Sequence, residues 1–139
     1  MHRCHQFVSA TAVLLLPYLA TSANANLVDN FELLDQRGDA HELYYLSDAN
    51  AVVLMAHASG CVGGQHAAGE LEKLAETYAP KGVEVRLLNS SLNDNRATIR
   101  AAMDAEDNGL VVLIDDTQLI GESLEFWQAG EAVVIDPGT

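Results

Sequence analysis

Ala51-Val-Val-Leu-Met-Ala-His-Ala-Ser-Gly-Cys61-Val-Gly-Gly64 is the stretch whose reading decides the fold. Residues 51–56 form an apolar run without polar alternation, the pattern of a central strand buried on both faces. From Gln65 to Tyr78 the period becomes that of a helix. Ala67, Ala68, Leu71, Leu74, Ala75 and Tyr78 form one stripe, and Glu70, Glu72, Lys73 and Glu76 form the opposite face. Cys61 falls where strand runs into helix. A helix start offers unpaired N–H groups and partial positive charge, which favour thiolate over thiol and make a cysteine there nucleophilic. The competing reading of Cys61 is a small buried hydrophobe.

Working outward, Pro80 and Gly82 end the helix, and Gly82–Asn89 reads as a strand parallel to the first across a βαβ crossover. Ser90-Ser-Leu-Asn-Asp94 offers caps for a second helix from about Arg96 to Glu106, with Ile99 and Met103 inward. Leu110–Ile114 is a short apolar strand, and Asp115-Asp116 a turn or helix cap, with metal ligation the minor alternative. A short helix over Leu119–Trp127 and a last strand over Glu131–Asp136 complete the run. Trp127 reads as core packing, with substrate contact as the alternative. At the other end, Phe31–Asp35 and His41–Tyr45 make a hairpin around Gln36-Arg-Gly-Asp39, where Gly38 supplies a positive φ. The order predicts an α/β fold, a mixed sheet flanked by helices with an N-terminal β-hairpin.

Residues 1–25 have the pattern of a secretory signal peptide: Arg3, an apolar stretch from Ala12 to Ala20, and small residues ending at Ala25. Cleavage there would remove Cys4 and leave one domain over residues 26–139 in the periplasm or outside the cell. The apolar stretch is short for a membrane span and is interrupted by Pro17. The leader holds one of the 7 basic residues and none of the 20 acidic ones, so the formal charge of −13 becomes −14 without it. Such a charge argues against nucleic acid or anionic lipid as a partner, since both reward basic patches. Cys61 would then be a lone thiol in an oxidising compartment, unable to form a disulfide within its own chain.

Phe31-Glu-Leu-Leu-Asp-Gln-Arg-Gly38 resembles the opening hairpin of the redoxin group, which includes the AhpC/TSA peroxiredoxins and TlpA-like periplasmic thioredoxins. Residues 52–61 are similar to the strand leading to that group's reactive cysteine, and Lys81-Gly-Val-Glu-Val85 to its next strand. Asp115-Asp-Thr-Gln-Leu-Ile-Gly121, followed by Ala132-Val-Val-Ile-Asp-Pro137, resembles the approach to the strand beside the active site. The resemblance implies a thioredoxin-like fold, a catalytic Cys61 and no cofactor. It also implies a substrate-binding loop at Ala129-Gly130, where the family carries a cis-proline. The family continues with another strand and a helix, so the sequence reads as C-terminally incomplete. A fusion domain or partner subunit is the expected cover for the edge at Val133–Ile135.

Several positions depart from the family. A peroxiredoxin has proline and threonine where this chain has Leu54 and Ala58, and a dithiol thioredoxin has its second cysteine at Gly64. Copper-chaperone relatives carry theirs at the position of Gln65. His57 and His66 flank Cys61 as supporting residues, since a nearby imidazolium favours a thiolate. Their spacing around Cys61 and Met55 is a weak metal pattern, and no metal is assigned. The expected activity is monothiol redox chemistry through Cys61 with a protein or small-thiol partner. The alternative is a catalytically degenerate binding or metal-handling domain of a longer redox protein.

Overall fold

The computed structural model describes residues 27–138; the leader expected over residues 1–25, with Cys4, lies outside them. Strand β3 (Ala51–Ala56) pairs in parallel with β4 (Val83–Asn89), Val53 opposite Val85 and Met55 opposite Leu87. Helix α1 (Val62–Tyr78) forms the crossover between them. Val53, Met55, Val85 and Leu87 pack on one face against Ala68 and Leu71 of α1 and against Ile99 and Met103 of α2 (Arg96–Ala105). Val52, Leu54 and Leu88 pack on the other with Phe31, Leu43, Leu113 and Ile135. Burial on both sides is why residues 51–56 show no alternation.

Strand β5 (Val111–Ile114) lies parallel to β4 on its far side. The hairpin β1 (Glu32–Asp35) and β2 (Ala40–Glu42) adds antiparallel to β5, and β6 (Ala132–Ile135) adds antiparallel to β3. The resulting order, β2-β1-β5-β4-β3-β6, is the expected mixed sheet. Among the described residues no helix is long and apolar enough to cross a membrane.

Side chains complete several backbone junctions. Buried Asp35 closes the β1–β2 turn by accepting N–H bonds from Arg37, Gly38 and Asp39 on Oδ1 (2.7–3.0 Å) and facing His41 Nε2 at 2.9 Å on Oδ2. Burial opposes its charge, but the His41 bond and the backbone donors outweigh it and hold the carboxyl below its ordinary range. Buried Gln36 extends the sheet with its side chain, donating to Leu110 O (3.0 Å) and accepting from Val112 N (2.8 Å).

The structure departs from the expected elements in four main respects. Helix α1 starts at Val62, before the expected Gln65, so Gly64 lies in its first turn. Its buried stripe is narrower, because Leu74 and Tyr78 are exposed; the Tyr78 ring is covered by Lys81 Nζ, 4.5 Å from its centroid. The partner strand of the hairpin stops at Glu42, and Leu43–Leu46 forms a 3-10 turn instead. A three-residue period brings Leu43 and Leu46 inward together and leaves Tyr44 and Tyr45 exposed. The third helix, α3, ends at Ser123, where Glu125 takes φ +57°, and Trp127 beyond it is 85% exposed. Trp127 is therefore a surface residue, contrary to the core reading, because the chain turns outward before reaching it.

Asp115 is fully buried and fixes the bend between β5 and α3 (Leu119–Ser123). It accepts from Ser90 Oγ (2.8 Å), Gly121 N (2.8 Å) and Thr117 Oγ1 (3.3 Å), the turn-and-cap role expected of this pair. A methyl group at Gly121 would meet Ser90 Oγ at 2.5 Å. Gly121→Ala is therefore expected to lower stability by about 1–3 kcal/mol, by overpacking and loss of the Ser90 bond. Urea unfolding tests this: an unchanged midpoint would show that Ser90 moves aside at no cost.

Candidate functional site

The chain leaves β3 at Ala56 and reaches α1 at Val62 through a short loop whose conformation is fixed at each step. His57 N donates to Leu88 O (2.8 Å), carrying the parallel pairing one residue past the strand. Ser59 N donates to Asp94 Oδ2 (2.9 Å), and Gly60 takes φ +76° in open space. Cys61 N then turns back onto Ala58 O (3.3 Å), and Cys61 O accepts the first helical bond from Gln65 N (2.9 Å). Cys61 is thus the N-cap of a 17-residue helix, and its side chain makes no capping bond. The free thiol is exposed, so the inert buried reading does not apply. Unpaired N–H groups of the first turn are available to a sulfur anion here.

The facing wall is the loop before β6. Gly130 N donates to Ala56 O (2.8 Å), and Glu131 O accepts from Ala56 N (2.8 Å), so this loop is tied to the end of the strand that leads to Cys61. Glu131 Oε2 takes the N–H groups of Trp127 (2.6 Å) and Gln128 (3.0 Å). These donors hold the Glu131 carboxyl below the ordinary glutamate range, the Gln128 bond first. Ala129 reaches the site itself. A side-chain carbon added at buried Gly64 would lie 3.3 Å from Ala129 Cβ, 3.6 Å from Cys61 Cβ and 3.8 Å from Cys61 Sγ. Cys61, Gly64 and Ala129 therefore meet in space although Ala129 is far from the other two in sequence. Gly130 sits at φ +95°, which a proline ring fixed near −65° does not reach, so the loop follows a path of its own.

His57 is 3% exposed. Asn89 Nδ2 donates to His57 Nδ1 (3.3 Å) and to Asp94 Oδ2 (2.9 Å), and Asn89 Oδ1 accepts from Ser91 N (3.0 Å). The ring proton then belongs on Nε2, which is buried and has no partner among the described residues. Burial pushes the His57 pKa down, and the carboxylates of Glu106 and Asp94 offset part of that effect. The ring is neutral near pH 7, so it supplies no imidazolium to Cys61; its role is to fill and tie down the loop. His66 lies exposed on α1. Among the described residues no three His, Cys, Asp or Glu side chains cluster to hold a metal, so the Cys61, His57 and His66 spacing does not become a ligand set.

Asn89, Asp94 and Glu131 were not found by reasoning from the sequence. Asp94 sits among the residues expected to cap α2, but the cap is Asn95, which accepts from Ala97 N and Thr98 N while Thr98 Oγ1 accepts from Asn95 N. That frees Asp94 for Ser59 and Asn89. No spacing signals this, since the partners come from separate loops joined only by the sheet.

Residues 25–139 match the AhpC/TSA family. The chain belongs to that family. Comparison with curated proteins finds no match. Among solved structures, the AhpC/TSA chain is similar to a hypothetical protein from Sinorhizobium meliloti, with TM-score 0.71 and 21% identity over 79% of this chain and 63% of that one. It is similar to the peroxidoxin BcpB of Mycobacterium tuberculosis, with TM-score 0.69 and 20% identity over 81% and 78% of the two chains. The thioredoxin domain of a thiol-disulfide oxidoreductase from Bacteroides vulgatus gives TM-score 0.71 and 15% identity over 85% and 84%. Identities this low show the shared fold, which is thioredoxin-like as expected. The chain spans 63% of the Sinorhizobium protein and 61% of a similar uncharacterized protein from Geobacillus kaustophilus.

Two outcomes follow for this AhpC/TSA domain. The 3.6 Å separation of Cys61 Cβ from a carbon at position 64 lies in the range of about 3.5–4.5 Å that disulfides require. The substitution Gly64→Cys is expected to close a disulfide with Cys61 on oxidation, with Ala129 yielding a few tenths of an ångström. Persistence of both thiols as alkylatable groups after oxidation would contradict this geometry. The second concerns pH. Unfolded, His57 takes up a proton near its ordinary value of about 6.5, which the folded chain resists. Folding stability from this group is present above that pH and is lost on acidification toward the depressed folded value, by up to about 1.4 kcal/mol per pH unit. In His57→Gln the fall in stability between about pH 6.5 and 5.5 is expected to be shallower. Equal slopes in urea unfolding would assign the titration elsewhere.

Proposed function

We propose that this chain is a thiol redox domain in which Cys61 works alone. The observation that carries the reading is the placement of an exposed free thiol at the N-cap of α1, facing Gly64 and Ala129 where no second sulfur stands. Cys61 thiolate attacks a disulfide, one sulfur–sulfur bond forming as the other breaks, and one thiolate leaves. An external thiolate then attacks the mixed disulfide, restores Cys61 and carries the oxidation away as a new disulfide. Electrons are exchanged between partner and external thiol, and the protein ends unchanged. Membership of the AhpC/TSA family supports thiol chemistry in general. Solved relatives described as a peroxidoxin and a thiol-disulfide oxidoreductase point the same way. Leu54 and Ala58 supply no hydroxyl near the sulfur, which argues for disulfide exchange over peroxide reduction.

The substrate would lie along Ala129-Gly130, between exposed Val62 on α1 and exposed Trp127. The second reading, a binding domain without turnover, is favoured by the same Gly64 and by the φ of +95° at Gly130. Export to the periplasm or the exterior belongs to the proposal, resting on the leader pattern of residues 1–25. Recovered protein would then begin at Asn26, and one beginning at Met1 would refute it.

The redox reading is tested in a Cys4→Ser background with glutathione disulfide. One glutathione is expected on Cys61, released by excess glutathione, with insulin or mixed-disulfide reduction lost in Cys61→Ser. An adduct that forms without any Cys61-dependent turnover would favour the binding domain, and absence of the adduct would remove the redox reading.

A further inference from the structure

The chain has 20 acidic and only 7 basic residues, yet three of its arginines, Arg37, Arg96 and Arg100, line one cleft of about 400 Å³. A second lobe of about 370 Å³ shares Arg37 and Arg100 and runs to Asn108. The ion pairs among the described residues are His41 with Asp35, Lys73 with Glu70 and Arg86 with Glu84, so no carboxylate lies within 4.0 Å of these three guanidinium groups. Asp104, the one acidic side chain on the wall, makes no ion pair either. Three guanidinium groups without an ion pair share this cleft with one carboxylate, Asp104, in a protein with carboxylates to spare.

The backbone fixes the points from which the three arginines branch. Arg37 follows Gln36, whose buried amide is bonded at both ends to the β5 segment, and its own N–H is held by Asp35 Oδ1 at 2.7 Å. Arg96 and Arg100 stand one turn apart on α2, whose first turn is closed by the Asn95–Thr98 capping box. Arg96 Nη1 lies 3.4 Å from where a side chain at Gly38 would begin, so the turn and the helix meet at the cleft.

The geometry points to a binding site for a small polyanion, bearing phosphate or carboxylate groups, in the cleft between the β1–β2 turn and α2. Guanidinium forks pair with either oxyanion through two parallel hydrogen bonds. The cleft is open to solvent, so the arginines and not enclosure would hold the ligand. The surrounding surface selects size. A polymer such as nucleic acid would lie across acidic residues, whereas screening over about 8 Å at physiological salt leaves a small anion governed by the arginines beside it. Cys61 is not on the cleft walls, so this site stands or falls apart from the redox reading.

Calorimetric titration of the full chain with pyrophosphate and with citrate, in about 0.15 M salt, tests the site. Saturable one-to-one binding of at least one probe is expected, weakened about tenfold or more in Arg37→Gln and in Arg100→Gln and unchanged in Cys61→Ser. Tighter pyrophosphate would assign a phosphate ligand, and tighter citrate a carboxylate. Both substitutions are at exposed positions, and the probe that binds should raise the melting temperature of the wild type more than that of either variant. Failure of both probes to bind the wild type, or equal affinity in the arginine variants, overturns the proposal.

Discussion

Both backbone groups of Ala56 bond to one loop: its N–H donates to Glu131 O, and its carbonyl accepts from Gly130 N, each at 2.8 Å. The strand that delivers Cys61 and the loop that faces it therefore end at the same place. Breaking this exchange would leave two backbone groups buried without partners and would separate Ala129 from Gly64. Beyond it the register is set, with Met55 opposite Ala132 and Val52 opposite Ile135, and β6 is held to β3. The site is a consequence of sheet closure as much as of any one side chain.

Polar side chains serve the ends of strands across the sheet. Asp35 and Gln36 complete β1, Asn89 and Asp94 hold the loop after β3, and Asp115 closes the bend after β5. Each satisfies backbone donors that the sheet leaves open. His57 is buried beside Asn89, and burial keeps its ring neutral. A neutral His57 brings no positive charge to the loop that leads to Cys61.

Much of this was legible in the sequence. The unalternating run at residues 51–56, the helical stripe after it and the later apolar runs carried enough periodicity to place strands and helices in order. Gly38 was readable as a turn residue, because positive φ there leaves few alternatives. Periodicity failed where tertiary packing chose between similar local states. Leu43–Leu46 has the composition of a strand, but packing Leu43 and Leu46 on the same side demands a three-residue period. Trp127 looked like core on hydrophobicity alone, yet the positive φ at Glu125 turns the chain to solvent first.

The sequence by itself determined that Cys61 would stand between a buried strand and a helix, with Gly64 in place of a second sulfur. These are local facts, fixed by residue type and spacing. Only the tertiary structure decided which residues surround that sulfur. Ala129 comes within van der Waals reach of position 64, Asp94 anchors Ser59, and Arg37 joins Arg96 and Arg100 at a separate cleft. Such meetings depend on strand order and register, which join segments far apart in the chain and leave no trace in the spacing of either.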